Sequence, residues 1–150
     1  MIEIINYEDR YHNDFRQLNL EWLEKYGLAE KHDYEVLDNP MAIITGGGSI
    51  FLARFDNSIA GTAALAKMYN QTYELIKMAV TPGMRGSGIG TMLLEHCLAK
   101  ARLLKAEKII LYSNSKLQAA INMYLKHGFE HIAVTDSPFV TADVKMQLSL

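Results

Sequence analysis

The spacing of apolar residues along this chain changes several times, and each change marks an element. An apolar run at Met1–Asn6 predicts a first strand. Over Glu8–Gly27 the residues Phe15, Leu18, Trp22, Leu23 and Tyr26 recur at three- and four-residue spacings, which predicts an amphipathic helix stopped by Gly27. The pattern weakens from Leu28 to Thr45. Asp33–Asp38 reads as a short helix, Asn39-Pro40 as a break and Met41–Thr45 as another turn, before a loop at Gly46–Gly48. The period then falls to two. Ser49–Phe55, Ile59–Met68 and Thr72–Val80 read as three strands of an antiparallel meander, with turns at Asp56-Asn57-Ser58 and Asn70-Gln71. Helical spacing returns over Ile89–Leu104, where Leu93, Leu94, Cys97, Leu98, Ala101 and Leu104 form one broad face. A strand at Lys108–Ser113, a helix at Leu117–His127 ended by Gly128, and strands at Phe129–Thr135 and Val140–Leu148 complete the chain. The order β-α-(α)-β-β-β-α-β-α-β-β predicts an α/β (α+β) fold with a mixed, mostly antiparallel central sheet flanked by helices. With 150 residues, 49% of them hydrophobic, and no linker or repeat, one domain over residues 1–150 is expected.

The segment between the third meander strand and the next helix carries the chemistry. It reads Val80-Thr-Pro-Gly-Met-Arg-Gly-Ser-Gly-Ile-Gly90. Glycines at this junction expose backbone N–H groups at the positive end of the helix dipole. They also leave room for phosphate oxygens that a Cβ would block. A pyrophosphate site is therefore expected. A dinucleotide-binding unit is excluded, because glycines at 86, 88 and 90 miss the G-x-G-x-x-G spacing and Lys108–Ser113 ends in Ser113-Asn114 rather than a ribose-binding acid. A P-loop is excluded because no lysine follows Gly90.

Arg85, Gly88 and Gly90 stand in the places of the pattern [Q/R]-x-x-G-x-[G/A]. In this respect the turn resembles motif A of the GNAT superfamily, the acetyl-CoA-dependent N-acetyltransferases. The run Ala120-Ile121-Asn122-Met123-Tyr124-Leu125-Lys126-His127-Gly128-Phe129 is similar to the A-I-x-x-Y-x-x-x-G-F element of the same family. The resemblance covers most of the chain from Ser49 onward; the N-terminal third, which in this family lines the acceptor side, shows no quotable motif.

This resemblance implies acetyl transfer from acetyl-CoA, a co-substrate, to a primary amine in a ternary complex. Main-chain N–H groups of Arg85, Gly86, Ser87, Gly88, Ile89, Gly90 and Thr91 would bind the pyrophosphate, with hydroxyls of Ser87 and Thr91 adding to the grip. The pantetheine arm would lie along Met78-Ala79-Val80, pairing with the main chain of Met78 and Val80. Tyr124 matches the family tyrosine that points at the sulfur, where a phenol still protonated at neutral pH donates to the departing thiolate. A core tyrosine on an apolar helix face would have the same spacing. Glu74 is the expected general base, at the family's offset of four residues before Met78 and, by a period of two, on Met78's face of the strand. Burial among apolar neighbours would raise its pKa; a cross-strand ion pair and a water-chain base are the alternatives. Asn114 stands where family members contact pantetheine or acceptor, and is also an ordinary turn residue. A non-catalytic CoA-binding sensor or partner-binding module on the same fold is the alternative function.

Composition bounds the rest. A formal net charge of −2 without a basic stripe argues against nucleic acid. No apolar run approaches a membrane span. The single cysteine, Cys97, fits a reducing compartment, and the cytoplasm is expected. Cys97 lies mid-helix on the apolar side and reads as packing rather than nucleophile. The five histidines share no metal-ligand spacing, so no metal is expected. The cluster Glu30-Lys31-His32-Asp33-Tyr34-Glu35 reads as a solvated loop or the edge of an acceptor pocket. Trp22 and Tyr26 read as helix core, and Lys77 as a solvated or paired lysine on the face opposite Glu74. Relatives that dimerise use late strands, which makes Phe139–Leu148 the candidate homodimer seam.

Overall fold

The computed structural model describes residues 1–150. Seven strands form one sheet: β1 (Ile2–Asn6), β2 (Ser49–Phe55), β3 (Ser58–Lys67), β4 (Thr72–Val80), β5 (Lys108–Ser113), β6 (Glu130–Ile132) and β7 (Val144–Ser149). Their order is β1-β2-β3-β4-β5-β7-β6, and β4–β5 is the parallel pair in an otherwise antiparallel ladder. Five helices, α1 (His12–Lys25), α2 (Lys31–Asp38), α3 (Met41–Thr45), α4 (Ile89–Leu103) and α5 (Gln118–Lys126), cover its faces. This is the mixed, mostly antiparallel sheet that the hydrophobic pattern predicts.

Two cores sit on opposite faces. On one, Leu93, Leu94, Cys97 and Ala101 of α4 pack with Tyr73, Leu75, Ile109 and Leu111 of the sheet and with Ile121 and Tyr124 of α5. Gly61 permits this approach, since a Cβ there would stand 2.9 Å from side-chain carbons of both Ile89 and Leu93. On the other face, Phe15 and Leu20 of α1 and Leu37 of α2 pack on Ile50, Leu52 and Ala64.

The boundaries differ from expectation where tertiary contacts rule. Helix α2 begins at Lys31 rather than Asp33, because the Glu30 N–H donates to the Asp33 carboxylate at 2.9 Å and starts the helix early. Met41–Thr45 is a short helix rather than a turn. Strand β6 stops at Ile132 and β7 starts at Val144, so residues 133–143 are an irregular segment instead of strand. The Glu30 carboxylate holds that segment by accepting from the N–H groups of Val140 and Thr141, each at 2.9 Å, and from the Thr141 hydroxyl at 2.5 Å. The expected strand Val140–Leu148 thus loses its first part to this latch.

Strand β4 carries the feature that shapes the site. Ala64 pairs with Ile76 and Thr62 with Ala79, so Lys77 and Met78 together oppose one residue of β3. This is a β-bulge, and Lys77 takes φ +54°, a left-handed conformation uncommon outside glycine. The bulge reverses the facing of everything after it. Tyr73 and Leu75 face α4 before it, and Met78 and Val80 pack against that same core after it. Glu74 and Met78 therefore do not share a face, contrary to the period-of-two expectation. Lys77 does not lie opposite Glu74 either; it turns to the α1–α2 side.

Candidate active site

Strands β4 and β5 pair only at Thr72–Lys108, Tyr73–Ile109 and Glu74–Ile110, then diverge. Beyond Glu74 the β5-facing main chain of β4 has no strand partner. A V-shaped opening through the sheet results, with Glu74 at its apex. The opening belongs to a cleft of about 580 Å³ that runs from the glycine turn to the α1–α2 side.

At one end lies the turn between β4 and α4. Gly86 and Gly88 take φ +83° and +87°, conformations that favour glycine. The first amide of this turn bonded as in a helix is Met92, to the Gly88 carbonyl at 3.0 Å. The N–H groups of Ile89, Gly90 and Thr91 are thus the unpaired donors of a helix start. Arg85 and Ser87 spend theirs inside the turn, on the carbonyls of Pro82 at 3.4 Å and Met84 at 3.3 Å. The Ser87 hydroxyl also donates to the Met84 carbonyl, so its proton is turned away from the mouth. A Cβ on Gly90 would meet only ordinary contacts, 3.5 Å to the Met123 sulfur and 3.8 Å to Val80. Its absence keeps space open at the helix start rather than relieving a clash. Donors, space and dipole together fit a diphosphate. Gly86, Gly88, Ile89, Gly90, Thr91 and the exposed Arg85 line the cleft at this end; Ser87 does not.

Tyr124, on α5, lines the cleft from the α4 side and is 6% exposed. Burial, with the neighbouring Cys97 sulfur, raises its pKa well above the usual phenol value, so it stays a proton donor throughout neutral pH. Its sequence neighbour on the core face, Ile121, and Phe129, whose ring lies 5.7 Å away, fix the ring. Cys97 is fully buried and its thiol is pushed up to about 12, which suits packing and not nucleophilic attack.

Glu74 is 7% exposed and lines the same cleft. Burial raises its pKa to about 7, against an opposing pull from Lys77 and Lys145. Its carboxyl therefore takes up and gives back a proton at neutral pH. Asn114 also lines the cleft, but its side chain is occupied: Nδ2 donates to the Thr141 carbonyl at 2.7 Å and Oδ1 accepts from the Lys116 N–H at 2.9 Å.

Several cleft residues are not legible as such in the sequence. Trp22 and Tyr26 line the cleft instead of filling the core, and Phe139 joins them from the irregular segment. Lys77 is buried, not solvated, and pairs with Asp33; their side chains are 5% and 4% exposed. The bulge that brings Lys77 there is braced from β3 and α1. The Thr62 hydroxyl donates to the Lys77 carbonyl at 2.8 Å, and Asn19 Nδ2 donates to Thr62 Oγ1 at 3.1 Å and to the Phe15 carbonyl at 2.8 Å. The four-residue spacing of Trp22, on α1, and Tyr26, just past its end, is the one sequence signal that points to a shared wall.

A sheet split beside a bulge, with a glycine-rich helix start at its mouth, defines the class of fold. The acetyltransferase (GNAT) family model matches residues 12–129, and the chain belongs to that family. An uncharacterized N-acetyltransferase of Mycobacterium bovis is 35% identical over 82 residues, 55% of this chain and 53% of that protein. The chain thus spans about half the length of its mycobacterial relatives. Among solved structures, a GNAT-family acetyltransferase of Staphylococcus aureus Mu50 superimposes with a TM-score of 0.92 at 24% identity, over 99% of both chains. The PaiA N-acetyltransferase of Thermoplasma acidophilum, solved in complex with coenzyme A, gives 0.80 at 16% identity, over 100% of this chain and 99% of that one. No helix of this chain is long and apolar enough to cross a membrane.

Proposed function

We propose that residues 1–150 act as one N-acetyltransferase domain that moves the acetyl group of acetyl-CoA directly to a primary amine in a ternary complex. The observation that carries this is the placement of Glu74 and Tyr124 in one cleft on opposite sides of the split sheet. One side serves the leaving sulfur and the other the arriving nitrogen. The coenzyme of the Thermoplasma structure supports the choice of ligand. The co-substrate supplies an activated acyl group. The amides of Ile89, Gly90 and Thr91 hold its diphosphate, helped by Arg85. The unpaired main chain of Met78, Ala79 and Val80 takes up its amide-rich arm as an added strand. An N–H of that segment donates to the thioester carbonyl oxygen as charge grows there.

Glu74 accepts the proton of the amine, whose nitrogen bonds to the acyl carbon as the carbon–sulfur bond breaks. Tyr124 gives its phenolic proton to the departing sulfur. Direct transfer is favoured because Cys97, the one thiol, is sealed in the core. A reducing, cytoplasmic setting is part of the reading and rests on that lone cysteine.

Isothermal titration with acetyl-CoA, followed by free-thiol detection across a panel of amines, tests the reading. Saturable binding with amine-dependent thiol release is expected. Binding without release from any amine overturns it in favour of a CoA-sensing module. Tyr124→Phe is expected to lower kcat about tenfold or more while leaving the KM for acetyl-CoA nearly unchanged.

A further inference from the structure

The diphosphate and its arm account for the α4–α5 half of the cleft. The other half has walls of a definite chemistry. Trp22, Tyr26, Leu28, Phe139 and Ala142 line it together with Glu74.

The charges bordering this half are largely matched already. The Lys77 ammonium pairs with Asp33 and lies 5.7 Å from the centre of the Phe139 ring. Lys145 is 2.9 Å from Asp136 and lies 5.1 Å from the Tyr112 ring centre. Lys25 stands 5.6 Å from the centre of the Tyr26 ring. The Glu30 carboxylate is engaged with Val140 and Thr141. Glu74 is left as the acid without an ion-pair partner. Lys116, exposed at the rim and 3.5 Å from the Tyr26 carbonyl, makes no close ion pair and has Asp143 as its neighbouring acid.

Each feature selects against a class of amine. A second ammonium on the acceptor would find Phe139, Tyr112 and Tyr26 already carrying lysines, and would meet like charge instead of a free ring face. A carboxylate beside the amine, as in an α-amino acid, would be carried in next to Glu74, while Lys77 and Lys145 are spent on Asp33 and Asp136. An uncharged apolar body finds Trp22, Tyr26 and Phe139, and gains by leaving water.

We propose that the acceptor is a primary amine on an uncharged apolar body of about one aromatic ring, an arylalkylamine, selected by Trp22, Tyr26 and Phe139. This inference rests on the acetyl-transfer reading of the same site.

Trp22 is the only tryptophan in the chain, so its fluorescence reports on this half of the cleft alone. Phenethylamine, spermidine and phenylalanine are titrated into the protein saturated with CoA, and each is then assayed with acetyl-CoA for thiol release. Phenethylamine is expected to give a saturable change at a concentration at least tenfold below the other two, and to show the highest kcat/KM. Phe139→Ala, which keeps the reporter, is expected to weaken phenethylamine at least fivefold with acetyl-CoA binding within about twofold. Trp22→Ala is expected to raise the KM for phenethylamine about tenfold. Equal or tighter binding of spermidine or phenylalanine overturns the inference while leaving acetyl transfer standing. So does an unchanged fluorescence with phenethylamine. Saturable phenethylamine binding without thiol release from any amine supports the acceptor class and overturns acetyl transfer.

Discussion

Asp33 and Lys77 meet as a buried ion pair across 44 residues of sequence, joining the first turn of α2 to the bulge of β4. The pair is a tie between α2 and the strand that borders the split in the sheet. Removing one member leaves the other charged in a place with little water. Asp33→Ala is expected to cost about 3–5 kcal/mol of stability. The double variant Asp33→Ala/Lys77→Met carries no orphaned charge and is expected to recover the loss down to about 1 kcal/mol, the cost of the acceptor that the Glu30 N–H also loses. Urea unfolding of the three proteins checks this, and an equal loss in single and double variants would contradict it.

Thr62 holds the same bulge by its main chain. Thr62→Val keeps the shape but removes the donor to the Lys77 carbonyl and the acceptor for Asn19. A loss of about 1–3 kcal/mol and a lower kcat are expected. Thr62→Ser restores the hydroxyl and is expected to restore kcat, even where the lost methyl costs some stability. A serine variant as slow as the valine variant would show that the hydroxyl does not set the geometry.

Glu74 makes both stability and rate depend on pH. Its pKa is raised from 4.5 to about 7 in the folded protein, chiefly by burial. Below 4.5 the carboxyl is neutral in both states and contributes nothing. As pH rises from there to about 7, the unfolded chain ionises first and gains relative to the folded one. Stability therefore falls through that window, by about 3 kcal/mol at most, and levels off above it. Glu74→Gln is expected to flatten this slope and to be the more stable protein at pH 8. In the wild type, kcat is expected to rise with pH along a limb near 7, and Glu74→Gln is expected to lose that limb. Thermal melts and a kcat–pH profile on both proteins decide it.

Gly90 separates fold from ligand. A Cβ there meets nothing closer than 3.5 Å, and alanine is the better helix former by about 1 kcal/mol. Gly90→Ala is expected to be as stable as the wild type or more so, yet to bind acetyl-CoA at least tenfold more weakly. Differential scanning calorimetry beside isothermal titration would reveal the split; unchanged affinity would mean that the phosphates do not approach this helix start.

The sequence by itself determined most of the elements and the glycine turn at one end of the cleft. Periods of two and of three to four residues marked β2–β5, α1, α4 and α5 to within a residue or a few, because those elements bury one face each and the burial writes the pattern. The glycine turn was equally plain, since positive φ at positions 86 and 88 demands a residue type that few other constraints select. Tertiary structure alone decided the facing of β4. A bulge at a lysine with φ +54° has no local signal, and it depends on Thr62, Asn19 and Asp33, all distant in sequence. One inserted residue reverses a strand's alternation, and so it placed Glu74 and Met78 on opposite faces and turned Lys77 inward. The aromatic part of the cleft lining was hidden for the same reason. Trp22 and Tyr26 have the spacing of core residues, and they became a wall only because β4 and β5 part beside them.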